Sequence, residues 1–451
     1  MRRTSASSTT SVCVALVLAA ALLPIGGVRA AWRVVWERDG CPSSAGLSES
    51  RLVDLDADGS SEIVIVCRGE EGRGRVVAID GNGEVRWEAR VGAAAAVSLA
   101  GTGADGRPEL AVAWGETLAV LRAADGERIR AWGLRSPRDP GTEEVAAGAP
   151  IRAIEVIEAG GGRLAVVVTG AERGASLAAC RLDTLDLMWV LEAEREDGPF
   201  GRGFDHLSVG DPDGDGLPEI LVTENMNRLL VIGPGGVVEW GVLLGEKSRF
   251  SPEGVASSPP VVADLTGDGS NEVAIGCFAG ALVVLDGASG DELLRLRFGQ
   301  ESHRRLVGRR RLPAFLRRAL ESTGEPLGEA AVLELDRRAG CELVFGCSDG
   351  WLYAVSPRDG RTLWRRETPG DVYDAPALLA DSGDGPCVLA WTSQGLVACE
   401  VATGEPRRML DAAGGAAAVL VGDTTGNGRP EIVLVGRRGR RLTMLARSEK
   451  P

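Results

Sequence analysis

The chain has 451 residues, is 44% hydrophobic and carries a formal charge of −14 with only two histidines. That excludes a histidine-rich metal site, and the acidic balance argues against nucleic acid as a partner while suiting a protein that binds cations. Abundant glycine (62 residues) and the absence of a long 3.6-residue apolar period point to many short strands and turns.

Residues 1–30 have the form of a signal peptide: Arg2 and Arg3 precede an apolar stretch from Val12 to Leu23, and Val28-Arg29-Ala30 offers a small-residue cleavage site. Ala31 is then the mature N-terminus, and the loss of three arginines and no acid moves the charge to −17. Cys13 lies too early for a lipoprotein anchor, and no later stretch approaches the roughly 20 apolar residues of a membrane span. The expected location is secreted or periplasmic. The mature chain opens with AWRVVWE, a short alternating run that ends in Trp36 and has no partner nearby.

From there one unit recurs. It starts as LVDLDADGSSEIVIVC at Leu52, followed by weaker copies at Ser98 and Ile154. Clear copies return as SVGDPDGDGLPEILVT at Ser208 and VADLTGDGSNEVAIGC at Val262, weak ones at Leu333 and Ala377, and LVGDTTGNGRPEIVLVG closes the series at Leu420. Each unit holds an apolar run, a loop, a second run and a third, such as RVVAID or ALVVLD. A fourth run often ends in tryptophan. Trp87, Trp189, Trp240 and Trp364 each lie four residues past the same turn position, a register that unrelated hairpins would not keep. Four short strands per unit is the content of a propeller blade. The predicted fold is an all-β, single eight-bladed β-propeller over residues 31–451, or seven-bladed if the Ile154 unit is not a blade. The last unit stops after its third run, so the N-terminal strand is expected to complete it and close the ring.

Four loops carry an oxygen-rich pattern at positions 1, 3, 5 and 9. These are Asp54, Asp56, Asp58 and Glu62; Asp211, Asp213, Asp215 and Glu219; Asp264, Thr266, Asp268 and Glu272; and Asp423, Thr425, Asn427 and Glu431. Alternate positions in a tight loop converge, and Ca²⁺ takes six to eight oxygens at about 2.3–2.6 Å. About four Ca²⁺ sites are therefore expected. The competing reading is a set of ordinary Asx-turns without metal. The units near Gly101, Glu334 and Asp381 lack parts of the set and are expected to be empty.

The Asp-rich loop followed by an apolar run resembles the FG-GAP (VCBS-type) repeats of integrin α-subunit propellers and many exported bacterial proteins. That resemblance spans essentially the whole mature chain and implies Ca²⁺ ligation by the matching loop positions. The run SDGWLYAVSPRDGRTLW is also similar to quinoprotein-type propeller repeats, which include dehydrogenases and non-catalytic outer-membrane assembly scaffolds. The dehydrogenases use a vicinal cysteine pair, and this chain has no adjacent cysteines.

Long inter-blade connections follow several units, and loops on a rigid scaffold are where binding usually resides. The longest, near 302–322, contains Arg304, Arg309, Arg310, Arg311, Arg317 and Arg318 beside apolar residues at helical spacing. It predicts a basic amphipathic helix, packed on the acidic ring or facing an anionic partner. His206 beside Asp205 lacks a nucleophile motif. The expected function is a non-catalytic scaffold binding an extracellular or periplasmic protein or glycan, as in adhesion. The alternative is a quinoprotein-like oxidoreductase or a polysaccharide lyase on the same scaffold. Cys67, Cys277 and Cys347 share one repeat position and read as buried small hydrophobes; Cys387 with Cys399 is the candidate disulfide.

Overall fold

The computed structural model describes residues 32–41, 46–68, 74–92, 95–103, 105–133, 150–170, 175–193, 203–225, 227–245, 254–298, 327–335, 338–370, 372, 375–380, 385–392, 394–410, 416–436 and 441–447. They form eight four-stranded antiparallel sheets, each a blade of one propeller. Blade 1 comprises Gly46–Val53, Glu62–Arg68, Gly74–Ile79 and Val85–Val91. Blade 2 runs from Ala95–Thr102 to Arg128–Gly133, and blade 3 from Ile151–Ala159 to Leu187–Glu192. Blade 4 comprises Phe204–Gly210, Glu219–Glu224, Arg228–Ile232 and Val238–Leu243. Blade 5 runs from Val261–Ala263 to Glu292–Arg297, blade 6 from Leu327–Leu333 to Arg361–Glu367, and blade 7 from Ala377–Leu379 to Pro406–Leu410. The Ile154 unit is therefore a full blade, and the seven-bladed version is excluded. Among the described residues no helix is long and apolar enough to cross a membrane. The predicted signal peptide and the basic helix near 302–322, with all its arginines, lie outside the described residues.

Blade 8 holds Ala416–Gly422, Glu431–Gly436 and Arg441–Arg447, and its fourth strand is Trp32–Asp39, the first strand in the sequence. The pairing sets Trp32 opposite Arg447, Trp36 opposite Met444 and Asp39 opposite Arg441. A ring closed in this way joins the two ends of the chain and covers an edge that would otherwise be an open template for pairing.

The core is distributed over the seams between blades. Each second strand is buried on both faces, which is why these strands read as unbroken apolar runs. In EIVIVC, Ile63 and Ile65 pack with Val433, Val435 and Met444 of blade 8, while Val64 and Val66 pack with Leu110 and Val112 of blade 2. Eight such clusters fill the eight seams. Each buried Val, Leu or Ile stabilises by roughly 1.5–3 kcal/mol, so each seam is held from both sides.

The tryptophans stitch the seams. Trp36, Trp87, Trp189, Trp240 and Trp364 donate their indole N–H to the carbonyls of Gly81, Ala123, Pro234, Gly287 and Val401 in the following blade, at 2.8–2.9 Å. The ring lies over the glycine of that blade's third-to-fourth turn. At Gly126, which has φ +71, an added Cβ would sit 2.5 Å from the Trp87 ring. Blade 2 has Arg130 at the tryptophan position, bonding the Leu182 carbonyl of blade 3 at 3.1 Å, and there the turn tolerates Leu185 at φ 61.

Two cysteine expectations are corrected. Cys67 is not a free buried thiol but forms a disulfide with Cys41, tying the segment after the N-terminal strand to blade 1. Cys277 and Cys347 are buried thiols as expected, and burial pushes Cys277 up to about 12. Cys387 and Cys399 are not joined. Their strands pair Cys387 with Glu400 and Val388 with Cys399, so the two side chains point to opposite faces and enter different seams.

Two substitutions in blade 2 separate the cost of backbone conformation from that of the tryptophan contact. Gly106→Ala, at φ +76 with no atom near its would-be Cβ, should cost about 1 kcal/mol, whereas Gly126→Ala should cost about 2–4 kcal/mol in urea unfolding. Equal losses would mean that the indole contact carries no energy. Cys41→Ser, which opens a loop of sequence separation 26, should lower stability by about 3 kcal/mol relative to the oxidised protein.

Candidate metal centre

In blades 1, 4, 5 and 8 the Asp-rich loop joins strands one and two, on the same face as the turn between strands three and four. The four predicted loops share a backbone design. The position-1 aspartate accepts two or more loop N–H groups: Asp54 from Asp58 and Gly59, Asp211 from Gly214 and Gly216, Asp264 from Gly267 and Gly269, and Asp423 from Thr425, Asn427 and Gly428. Gly216, at φ +86, supplies the left-handed turn that follows position 5.

The position-9 glutamate has a structural role that spacing alone did not reveal. It is buried in the six blades that have it, and in four of them its Oε2 accepts the N–H seven residues earlier. The pairs are Leu55 to Glu62 at 2.9 Å, Leu265 to Glu272 at 2.7 Å, Leu335 to Glu342 at 2.7 Å and Thr424 to Glu431 at 2.8 Å. Glu342 does this in a loop that lacks the aspartate set, so the bond needs no metal.

Glu109 of blade 2 makes no such bond, and neither does Glu219 of blade 4. The position seven earlier is Pro212, which has no N–H to give. Glu219 is 2% exposed and its Oε2 is without a hydrogen-bond partner. Around it stand Asp213, Asp215, Asp211 and Glu239. Burial first, then Glu239 and the three aspartates, push its carboxyl up to about 8. Burial and the same Asp213 and Asp215 also raise Glu239. Asp211, Asp213 and Glu219 bring ligand oxygens within 4.8 Å of one another. A cation would satisfy a buried carboxylate oxygen that has no donor and is ringed by acidic groups. The oxygen-only donor set fits Ca²⁺ or Mg²⁺ rather than a softer metal.

In the other three loops both oxygens of the glutamate find partners within the protein. In blade 1, Asp54, Asp56 and Asp58 also converge, but Arg86 pairs with Asp56 at 2.6 Å and with Glu62 at 2.5 Å. In blade 5, Thr266 gives its N–H to Glu272 Oε2 and its hydroxyl to Oε1. Glu431 of blade 8 accepts from the hydroxyls of Thr424 and Thr425 and the amide of Asn427. Near Gly101 in blade 2, Glu109 meets Arg163 from blade 3 at 2.8 Å, and the same guanidinium reaches Asp183 at 2.6 Å. The Asp381 loop is outside the described residues.

The loops also lock onto their neighbours. The position-1 carbonyl accepts a bond from the residue just before the next blade's glutamate position: Asp423 from Ser61, Asp264 from Cys341, and Asp211 from the side chain of Asn271 at 2.7 Å. Sequence reasoning missed Arg86, Glu239, Pro212 and Asn271. Arg86 and Glu239 had a visible signal, since each immediately precedes a repeat tryptophan. His206 gives no catalytic arrangement: burial lowers its pKa against the raising effect of Asp205, and its ring bonds the Ala256 backbone.

A family model described as the outer membrane protein assembly factor BamB matches residues 316–425, roughly a quarter of the chain. No curated protein is similar at a significant level. Among solved structures, BamB from Moraxella catarrhalis is similar over 93% of this chain and 99% of its own, at TM-score 0.54 and 12% identity. A europium-containing methanol dehydrogenase matches over 92% and 93%, at TM-score 0.56 and 11% identity. BBS1N, solved in complex with ARL6DN, matches over 94% and 99%, at TM-score 0.51 and 14% identity. At these identities the likeness is one of fold. The chain is a propeller scaffold whose carboxyl-terminal portion is similar to BamB-type repeats.

The capping role of the glutamate can be tested where no metal is expected. Glu342→Ala should lose about 1–3 kcal/mol in urea unfolding with EDTA present, because the Leu335 N–H is left without its acceptor. A loss below a few tenths would show that the bond is dispensable.

Proposed function

We propose that the chain is an exported, calcium-binding β-propeller that acts as a non-catalytic scaffold for a protein or glycan. The observation that carries the calcium reading is the partnerless, buried Glu219 oxygen among Asp211, Asp213, Asp215 and Glu239. Bound Ca²⁺ would neutralise these groups and fix the loop between the first two strands of blade 4. Of the roughly four sites the spacing suggests, this is the one whose geometry supports metal most directly. The role is structural, with the weak affinity of extracellular modules, about 10⁻⁴–10⁻³ M.

The scaffold reading is supported by where the repeated residues go. Tryptophan, turn glycine and loop glutamate all serve the seams and loops, and the long inter-blade connections leave from the opposite face. Partner binding is assigned to that face. BamB is named as an assembly factor and BBS1N is seen with a protein partner, which supports protein as the ligand class. The outer-membrane context in the BamB description supports a secreted or periplasmic location.

At 10 mM Ca²⁺ the stated affinity stabilises the folded state by about 1.4–2.7 kcal/mol, a melting shift of about 2–3 °C for a chain of this size. Differential scanning calorimetry of the mature protein should show that shift reversed by EDTA. Asp213→Asn with Glu219→Gln should abolish it. A melting temperature indifferent to both Ca²⁺ and EDTA would sink the calcium reading. Glycan-array and pull-down binding, run with the same additions, tests the scaffold role.

A further inference from the structure

The loops of blades 1 and 4 carry the same four acids at the same positions, yet their surroundings are opposite in charge. The difference comes from one position on the fourth strand. In blade 1, Ile79 pairs with Val85 and Ala78 with Trp87, so Arg86 is the extra, unpaired residue of a β-bulge. In blade 4, Ile232 pairs with Val238 and Val231 with Trp240, so Glu239 is its counterpart. A bulge re-aims the side chain it carries, and here the aim is the Asp loop of the same blade. Blade 7 shows the same reach, since its bulge residue Arg407 donates to the carbonyl of Gly385 in that blade's first-to-second loop.

Resting on the calcium reading of blade 4, we propose that the bulge residue before the fourth-strand tryptophan decides whether an Asp loop takes a divalent cation. Arg86 is a tethered cation that fills the blade 1 site, and Glu239 is a fifth carboxylate that completes the blade 4 site. Arg86 bonds Asp56 and Glu62 directly, and the remaining Glu62 oxygen is capped by Leu55. No buried oxygen is left over there. In blade 4, Pro212 removes the cap, Glu239 adds charge, and Glu219 keeps an oxygen with nothing to bind. Blade 1 sets four carboxyl groups against one guanidinium, where blade 4 collects five carboxyl groups. A divalent ion entering blade 1 has to displace a guanidinium held by the chain itself, and the bulge keeps that competitor at a high local concentration.

The test counts sites on the mature full chain by Tb³⁺ luminescence and by calcium titration calorimetry. Asp213→Asn should lower the number of bound ions by one, while Asp56→Asn leaves it unchanged. Arg86→Glu, checked for native circular dichroism, should add one ion, and Asp56→Asn in that background should remove it again. Loss of an ion on Asp56→Asn in the otherwise wild-type chain would overturn the inference even if Arg86→Glu did not fold. A folded Arg86→Glu with unchanged stoichiometry would overturn it too. If Asp213→Asn changes nothing, the blade 4 site itself is wrong, which is a distinct result.

Discussion

The seam between neighbouring blades is the constraint on which the rest of this molecule depends. A four-stranded sheet of this size cannot bury its own apolar faces, and every blade here is covered on both sides by its neighbours. Alternate residues of one strand, such as Ile63 and Val64, therefore belong to different seams. The indole over the turn glycine fixes the rotation of one blade against the next, because the ring fits only where a Cβ is missing. Arg130 and Leu185 show the converse: where the tryptophan is absent, the glycine is no longer required.

Ring closure extends the same logic to the chain ends. Trp36 enters through the N-terminal strand, yet it bonds Gly81 of blade 1 as the internal tryptophans bond their own neighbours. The Cys41–Cys67 disulfide adds a covalent tie between that strand's exit and blade 1. Both ties hold the N-terminal strand to blade 1, while its ladder with Arg441–Arg447 holds it to blade 8, where the two ends of the ring meet.

Much of this was legible from residue order because it repeats. The tryptophan register identified the fourth strands, the apolar runs the second strands, and the stop after RLTMLA the need for a strand from the other end. What resisted reading was whatever depends on a single position rather than on the repeat. Cys41 sits outside every unit, so nothing in the period pairs it with Cys67. Cys387 and Cys399 look well placed for bridging until the register puts them on opposite faces. The loop spacing showed where oxygens converge but not what neutralises them, since Arg86 and Glu239 are on strands 24 and 20 residues away from the glutamates they face. Nor does the spacing show the backbone N–H that Glu62, Glu272, Glu342 and Glu431 each accept.

Those two roles of the glutamate, backbone acceptor and metal ligand, would let one loop design serve blades with and without a metal. A buried carboxylate needs donors, and the fold offers one from the backbone and leaves the second oxygen to local choice. Blade 1 answers with arginine and blades 5 and 8 with hydroxyls or an amide, while Glu109 of blade 2, without the backbone bond, meets an arginine from blade 3. Blade 4 withdraws even the backbone donor by placing Pro212 in the loop. A cation would satisfy what remains, and its effect would not stop at the loop. Asp211 is held by Asn271 of blade 5, and Trp240, next to Glu239, bonds Gly287 of that same blade. Ordering the blade 4 loop would therefore tighten the seam between blades 4 and 5 from both of its strands, coupling metal to the interaction that holds the ring.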